Sequence, residues 1–247
     1  MSFRPCIVIP TYNNPLTIRG VVEEARTVLA DVIVVDDGGD EGAKAVLQRI
    51  EEDGLAQVVY RARNGGKGAA VKSGFTAARA AGFTHALQID GDGQHDLDVL
   101  PEFLERARLS PTALVIAYPS YNETVPKHRL IARKFTNFWV NLEVGGEGIV
   151  YDAMVGVRVY PLDIVEQLPV RGNRMDFDVE IAVRYAWSGF PIQNLPVPVR
   201  YLAEEEGGVS HFRVFEDNLR FSLLHSRLCM TRMWLLLRRQ LPQRQLR

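Results

Sequence analysis

Asp90 and Asp92 flank a single glycine directly after an apolar segment that ends at Ile89. Two carboxylates this close form a compact oxygen site able to bind Mg²⁺ or Mn²⁺ together with a diphosphate. A metal held there would neutralise charge on a departing phosphate, and Gly91 and Gln94 belong to the same candidate site. The alternative is an ordinary aspartate-glycine turn, which turn chemistry alone would favour.

A second acidic pair, Asp36 and Asp37, follows the apolar run 32–35. At the end of a strand, such carboxylates can accept hydrogen bonds from a nucleoside base and from ribose hydroxyls, as an acidic residue does in dinucleotide-binding folds. Helix capping is the alternative, because aspartate commonly caps a following helix. Both roles predict a loop at this position.

Two further segments follow predicted strands. Residues 64–68, Asn-Gly-Gly-Lys-Gly, lack the spacing of a Walker phosphate loop because Gly68 follows Lys67 where that motif has Ser or Thr. We predict instead that the glycine backbone approaches a diphosphate, with Asn64 nearby and Lys67 as a point charge. Residues 10–13, Pro-Thr-Tyr-Asn, form the other segment.

The four segments can form one site only if they lie at the same edge of a sheet. The pattern of apolar residues predicts such a sheet. Short apolar runs typical of buried strands alternate with segments of helical spacing. Strands are predicted at 6–10, 32–37, 57–60, 85–89 and 113–118, and helices at 15–30, 42–52, 69–81, 97–108 and 129–143. Such a rhythm predicts a doubly wound, mostly parallel α/β sheet, in which ligands bind beyond the carboxyl ends of the strands.

Length and composition narrow the class of protein. The 247 residues favour one domain over 1–212, with a nucleotide-binding half near 1–118 and an acceptor half near 119–212, followed by a basic tail over 213–247. A net charge of −1 argues against nucleic-acid binding. Cys6 and Cys229 lack metal-ligand spacing, so zinc and disulfides are not expected. Neither an export signal nor a membrane span is predicted, which favours a cytoplasmic location.

Four ordered motifs give the sequence a family likeness. They are Ile-Pro-Thr-Tyr-Asn at 9–13, Val-Val-Asp-Asp-Gly at 34–38, Asn-Gly-Gly-Lys-Gly-Ala-Ala at 64–70 and Asp-Gly-Asp-Gly-Gln-His at 90–95. Together they resemble inverting family-two glycosyltransferases, and in particular enzymes similar to dolichyl-phosphate-mannose synthases. The resemblance implies a GT-A fold. It also implies that residues of the first two motifs hold the nucleoside, namely Pro10, Thr11, Tyr12, Asn13, Asp36 and Asp37, while Asp90 and Asp92 address metal and diphosphate.

An inverting transfer requires an acceptor placed opposite the leaving diphosphate and, for a neutral hydroxyl, a base. Asp178 is the candidate base and Asp92 the second catalytic candidate. Asp176 and Glu180 lie four residues apart and would share another face of the same helix. The alternative is that this segment is a solvated acidic helix end.

A lipid phosphate acceptor is already anionic, so cationic side chains would matter more than a base. The candidates are Arg129, Arg133, Arg158 and Arg200. For each, a surface role is the alternative, since arginine is usually exposed. Residues 207–212 resemble a segment that closes over the substrates, in which His211 could touch the diphosphate. The alternative interpretation of this segment is a surface turn before a helix. His95 is a weaker candidate metal ligand.

The basic tail shows helical periodicity. Apolar residues recur at Leu219, Leu223, Met230, Trp234 and Leu237, and arginines fill much of the remaining surface. Such a helix can dock on the anionic inner face of the cytoplasmic membrane. The alternative is packing on the domain, or on a second subunit in a homodimer.

These expectations converge on an enzyme that uses Mn²⁺ or Mg²⁺ to move one sugar from a nucleotide-diphospho-sugar donor to a lipid-linked or membrane-proximal acceptor. Two alternatives remain. A sugar-phosphate nucleotidyltransferase would need a glycine- and arginine-rich loop where residues 10–13 stand. A catalytically inactive module would bind the nucleotide sugar without releasing the nucleotide product.

Overall fold

The computed structural model describes residues 3–120, 127–198 and 214–238. Seven strands form one sheet: β1 (Pro5–Thr11), β2 (Val32–Asp36), β3 (Gln57–Tyr60), β4 (His85–Gln88), β5 (Leu114–Ser120), β6 (Arg158–Pro161) and β7 (Ile192–Pro198). Their order across the sheet is β3-β2-β1-β4-β6-β5-β7. Only β6 runs antiparallel to its neighbours, β4 and β5. The predicted mostly parallel α/β architecture is confirmed.

Helices cover both faces of the sheet. They are α1 (Ile18–Val28), α2 (Glu41–Glu52), α3 (Lys67–Ala80), α4 (Leu100–Leu109), α5 (Lys127–Val144), α6 (Leu162–Val165), α7 (Asp176–Trp187) and α8 (Val214–Leu237). A 3₁₀ turn over Leu97–Val99 precedes α4. The helix predicted over 15–30 is shorter in the structure: residues 15–17 form a turn, and α1 begins at Ile18.

The apolar runs of the sequence explain the central strands. Every residue of β2 is buried, and Ile7, Val8 and Ile9 of β1 are fully buried, because helices cover both faces of a parallel sheet. The core therefore has two layers, one on each side of the sheet. Alternate residues of β1 belong to opposite layers: Val8 faces α3 and α7, and Ile7 and Ile9 face α1 and α4.

The second half of the chain departs from the regular rhythm. The segment 152–161, part of the predicted acceptor half, pairs with the sheet only over Arg158–Pro161, in the antiparallel sense. At the far end of the chain, α8 packs on α5 and α7. Among the described helices, none is long and apolar enough to cross a membrane.

Candidate active site

The carboxyl ends of β1 and β2 lie side by side. Thr11 pairs with Asp36 in the parallel ladder, and the amide of Asp37 donates to the Thr11 carbonyl at 2.9 Å. The side chains that follow the two strands therefore share one edge, as the sequence predicted. Pro10 and Thr11 are buried, and Tyr12 is half-buried at the same edge.

Asp36 is fully buried and only partly satisfied. Its Oδ1 accepts from the Gly39 amide at 2.9 Å, whereas Oδ2 has no hydrogen-bond partner. Burial raises the pKa of this carboxyl. A buried acceptor without a donor costs free energy, which a hydroxyl or N–H group of a ligand would recover.

Asp37 faces the protein instead. Its carboxylate accepts from Arg61 at 2.5 Å and from the amides of Gly65 and Gly66 at 3.0 and 2.7 Å. These bonds fix the glycine loop to the end of β2. The capping alternative is wrong for both aspartates of the pair, because α2 is capped by Asp40, whose side chain accepts from the Ala43 amide.

Asn13 joins the first loop to the second. It adopts a left-handed backbone conformation with φ 53°, which asparagine tolerates, and its Oδ1 accepts from the Asp40 amide at 2.9 Å. The loops after β1 and β2 are thus bonded to one another before any ligand binds.

In the loop over 64–68, Gly66 and Gly68 pack closely against other parts of the protein, where a diphosphate was expected. Gly66 has φ 96°, and a Cβ there would lie 2.6 Å from the Asn173 carbonyl oxygen. A Cβ on Gly68 would overlap Phe177 of α7. The expectation that Gly68 lets backbone approach a diphosphate is therefore wrong, since the space beside it is filled. Asn64 is half-buried at the start of this loop.

Lys67 lies between two carboxylates. Its Nζ is 2.8 Å from Oδ1 of Asp90 and 2.9 Å from Oδ2 of Asp178, and its side chain is 13% exposed. Burial alone would lower the pKa of Lys67, but the carboxylates of Asp178 and Asp90 outweigh it and raise that pKa. The same ammonium holds the pKa of Asp90 well below its usual range, against the effect of burial. We name Lys67, Asp90 and Asp178 the edge cluster.

Asp92 completes the acidic motif. Its Oδ1 accepts from the Gln94 amide at 3.1 Å, so the turn considered as an alternative is present. Burial and, secondly, the nearby Asp90 carboxylate raise the pKa of Asp92. His95 Nε2 lies 3.7 Å from Asp90 Oδ2. Gly91 is anchored through its carbonyl, which accepts from Thr17 Oγ1 at 2.8 Å.

The donor set fits a divalent cation. Asp90 and Asp92 supply hard oxygen atoms, and the mutual repulsion that raises the pKa of Asp92 is what a bound cation would relieve. Within 3–120, 127–198 and 214–238, no group of three or more His, Cys, Asp or Glu is arranged to hold a metal. Two carboxylates leave room for diphosphate oxygens and water, the usual partners of Mg²⁺ at phosphate sites.

Asp178 belongs to the site and Glu180 does not. Asp178 is buried, its Oδ2 contacts Lys67, and its Oδ1 has no hydrogen-bond partner. Glu180 faces away from the edge and accepts from the amides of Arg171 and Gly172 and from the side chain of Arg184. The solvated-helix-end alternative is wrong for this buried pair.

The arginines expected to hold a phosphate have other partners. Arg158 is fully buried and donates to the carbonyls of Ala153, Val155 and Asp178, so the expected phosphate contact by Arg158 is wrong. Arg133 pairs with Asp152 at 2.6 Å. Arg129 lies in α5, but its side chain is outside the described residues, as are Arg200 and His211 altogether.

Gly156 was not predicted as a site residue. A Cβ at this position would overlap the Asp90 carboxylate, so only glycine leaves Asp90 its place. Asp152 shapes the same segment by accepting from the amides of Met154 and Val155 at 2.7 and 3.0 Å. The sequence signal was slight: an isolated glycine beside a strand indicates close approach of another group, without saying which.

Two curated proteins of named activity are similar to this chain over most of its length. The chain is 26% identical over 219 residues to the polyprenol monophosphomannose synthase of Mycolicibacterium smegmatis, covering 84% of this chain and 80% of that protein. It is 28% identical over 223 residues to the undecaprenyl-phosphate mannosyltransferase of Micrococcus luteus, covering 83% and 86%.

Solved structures show the same fold. Glucosyl-3-phosphoglycerate synthase from Mycobacterium tuberculosis, in complex with Mn²⁺, UDP-glucose and phosphoglyceric acid, superposes with a TM-score of 0.63 at 16% identity, covering 94% of this chain and 80% of that one. A mannosyltransferase from Pyrobaculum calidifontis, in complex with GDP-mannose and Mn²⁺, gives 0.58 at 16% identity, covering 94% and 74%.

The family assignment rests on a match to most of the described sheet. The sequence profile of glycosyl transferase family 2 matches residues 6–163, which include β1 to β6 and the whole acidic motif. The chain therefore belongs to glycosyl transferase family 2 and is a glycosyltransferase.

Proposed function

We propose that this enzyme transfers one sugar, with inversion, from a nucleotide-diphospho-sugar to a lipid-linked phosphate acceptor, and that it requires Mn²⁺ or Mg²⁺. The observation that carries the proposal is the edge cluster beside Asp92. There, a buried lysine is shared by one carboxylate of the acidic motif and by one carboxylate of α7. The donor side and the acceptor side of the site meet at that lysine.

The nucleoside half of the donor fits the edge of β1 and β2. Asp36 Oδ2 lacks a donor, and a ribose hydroxyl or a base N–H would satisfy it. Half-buried Tyr12 lies at the same edge. Asp37 acts indirectly: it does not contact the nucleoside but holds the glycine loop in place through the amides of Gly65 and Gly66. The proposed nucleotide-binding half is residues 1–118.

Asp90 and Asp92 would hold the metal, which supplies Lewis-acid stabilisation of the departing diphosphate. Lys67 is buried beside them and is positively charged, so it can contact the same diphosphate as charge develops. Gly156 keeps the Asp90 carboxylate in place. Support for the metal comes from the fit of the two carboxylates and from the Mn²⁺ in the two related structures.

The acceptor side is formed by α7 and the segment 152–157. One oxygen of Asp178 is already engaged by Lys67; the other has no hydrogen-bond partner and lies 3.9 Å from Nη1 of Arg158. That second oxygen can accept the proton of a hydroxyl, or it can orient an acceptor that needs no deprotonation. The names of the mycobacterial and Micrococcus relatives favour the second case, in which a polyprenyl phosphate oxygen attacks the anomeric carbon. The proposed acceptor half is residues 119–212.

The first test measures donor binding. Thermal unfolding is followed with UDP, GDP, CDP and their sugar conjugates, with and without Mn²⁺. A ligand at 100 times its dissociation constant stabilises by about 2.7 kcal/mol. We expect one base to give a metal-dependent shift that Asp92→Asn abolishes and Asp98→Asn leaves intact, since Asp98 is an exposed carboxylate in the 3₁₀ turn. No shift with any nucleotide would contradict the donor site.

The second test measures transfer. The donor that binds is incubated with undecaprenyl phosphate or with undecaprenol, and the product is analysed by mass spectrometry and by NMR of the anomeric proton. We expect product only with the phosphate, with anomeric configuration opposite to that of the donor. Nucleotide binding without release of the diphosphate would instead indicate an inactive binding module.

A further inference from the structure

Helix α8 is apolar on two faces. One face packs into the domain, where Phe221, Leu224 and Leu228 are buried against α5 and α7. The other face carries large apolar side chains that are between 47% and 80% exposed, namely Leu219, Leu223, Met230, Met233, Trp234 and Leu237. The predicted packing of this helix on its own domain is therefore observed, and an apolar face of the helix remains uncovered.

Helix α5 extends the exposed surface. Phe135, Phe138 and Leu142 are exposed and spaced three and four residues apart, so they lie on one side of the helix. Ring contacts join α5 to the buried side of α8: the Phe138 ring lies 5.7 Å from that of Trp139, which stacks at 6.0 Å on buried His225. A groove of about 580 Å³ between the two helices is lined by residues that include Phe138, Leu142 and Arg232.

These nine exposed apolar residues of α5 and α8 form what we name the docking face. Large contiguous apolar patches on a protein surface mark contacts with another protein or with a membrane. The charge around the face distinguishes the two. Lys134 and Arg232 line the groove together with Glu147, and Arg238 lies over the ring of Trp234. The segment 213–247 carries eight arginines against Glu216 and Asp217. Two copies meeting through this surface would bring like charges together.

We propose that the docking face binds an anionic lipid bilayer, with α5 and α8 lying together in the interface. The apolar side chains would enter the headgroup region while the surrounding cations attract acidic lipids. Trp234, which has the Arg238 guanidinium 4.2 Å from its ring centroid, has the amphipathic character of residues found at membrane interfaces. This surface is broader than the predicted tail helix alone, because it also includes the exposed apolar residues of α5.

A series of contacts connects α5 to the active site. Arg133 near the start of α5 is bonded to Asp152, and Asp152 holds the amides of the segment that ends at Gly156 against Asp90. A bilayer on α5 would therefore contact a helix that is bonded to the segment beside Asp90, and a lipid-linked phosphate could reach the site from there. That consequence rests on the proposed function, whereas docking itself does not.

The test is co-sedimentation of the full chain with phosphatidylcholine vesicles that contain or lack phosphatidylglycerol. We expect binding to the anionic vesicles alone, weakened by salt. Phe138→Glu on α5 and Leu223→Glu on α8 should each weaken it about tenfold, because a carboxylate replaces a side chain that enters the interface. Leu109→Glu is the matched control: Leu109 is 67% exposed at the end of α4, and its substitution should leave binding unchanged.

Three results would overturn the proposal. These are equal binding of Leu109→Glu and Phe138→Glu, no binding of anionic vesicles by the parent chain, and a dimer in light scattering that Phe138→Glu dissociates. The last would assign the face to a second copy. Circular dichroism and the nucleotide-induced thermal shift check that each variant is folded. A variant that loses vesicle binding but transfers sugar to a short-chain acceptor separates failure of docking from failure of the proposed function.

Discussion

Two clusters of ionisable side chains in this molecule differ in how far they are exposed to solvent. The edge cluster lies at the carboxyl ends of the strands, where Lys67 and Asp90 keep 13% and 21% of their side chains exposed. The second cluster lies between α5 and α8, where Glu143 is fully buried and its Oε1 is 2.7 Å from Nδ1 of His225. We name this pair the interhelix cluster.

The difference separates a site from a structural contact. In the edge cluster, Lys67 and Asp90 are partly exposed, so a ligand can reach the charges and replace protein contacts. In the interhelix cluster, helices close around the pair, and Trp187 Nε1 adds a bond to the Glu143 carbonyl at 2.8 Å. A buried ion pair is weak evidence of function by itself, and its access to the cleft decides what it can do.

Removal of Lys67 should have the largest effect. In Lys67→Met, Asp90 and Asp178 remain as buried carboxylates without their shared cation, which costs about 3–5 kcal/mol when one partner of a buried pair is lost. Denaturant unfolding measures the loss, and sugar transfer should fall below detection. Arg106→Met is the control, because Arg106 forms an exposed ion pair with Glu102 on α4 and its loss should change neither. An unchanged unfolding midpoint in Lys67→Met would contradict the claim that Asp90 and Asp178 depend on Lys67 as their shared cation.

Gly156→Ala tests whether the position of Asp90 matters beyond its charge. The new Cβ would overlap the Asp90 carboxylate and displace it, and a displacement of about 1 Å in a catalytic group can cost about 100-fold in rate. We expect kcat to fall by that factor in a folded protein. Gly20→Ala on α1 meets no atom within 4 Å, so it should keep full activity and gain about 0.5–1 kcal/mol. Equal activity of the two variants would contradict a positional role for Gly156.

The edge cluster was largely predictable and the interhelix cluster was not. Strand ends can be found from short apolar runs, and parallel strands bring their carboxyl ends together, so Asp36, Asp90 and Lys67 were expected near one edge. The contact of Lys67 with Asp178 joins residues 111 positions apart, by the difference of their numbers. No local pattern encodes such a distance.

The wrong expectations have a common cause. Arg158 and Gly68 were assigned to ligands because their residue types suit phosphate, yet each is buried against protein. Residue type and spacing indicate what a side chain can bind, and packing decides what it does bind. Glu143 and His225 carried no signal at all, because a single polar residue in an amphipathic helix is expected at the surface.

Within the active site, Asp36 and Asp37 provide the same contrast between a ligand-binding and a structural carboxylate. Asp37→Ala removes the acceptor for two loop amides and Arg61, and should destabilise the protein by about 2 kcal/mol. Asp36→Ala should change stability less, since one of its oxygens has no protein partner, but it should abolish the nucleotide-induced thermal shift. Unfolding curves with and without nucleotide measure both. The assignment of Asp36 to the ligand fails if its variant binds nucleotide as the parent does.

The smallest effect concerns pH and the interhelix cluster. Burial raises the pKa of Glu143 above its ordinary value of 4.5, more than the bond to His225 lowers it. As pH rises past 4.5, the unfolded chain releases this proton while the folded chain retains it, so the folded state loses relative stability until its own pKa is passed. The stability of the parent relative to Glu143→Gln should therefore decrease as pH rises through this window, in denaturant titrations at stepped pH.

Glu105 supplies a control of opposite sign on an exposed surface. Its bond to Arg108, three residues along α4, lowers the pKa of Glu105. The parent should gain stability relative to Glu105→Gln as pH rises toward 4.5, and by much less, because solvent screens an exposed pair. A parent-minus-variant curve for Glu143 that rises with pH would mean that the carboxylate form is the one the helices stabilise. The interhelix cluster would then be a charged pair like the edge cluster, distinguished from it only by its lack of access to the cleft.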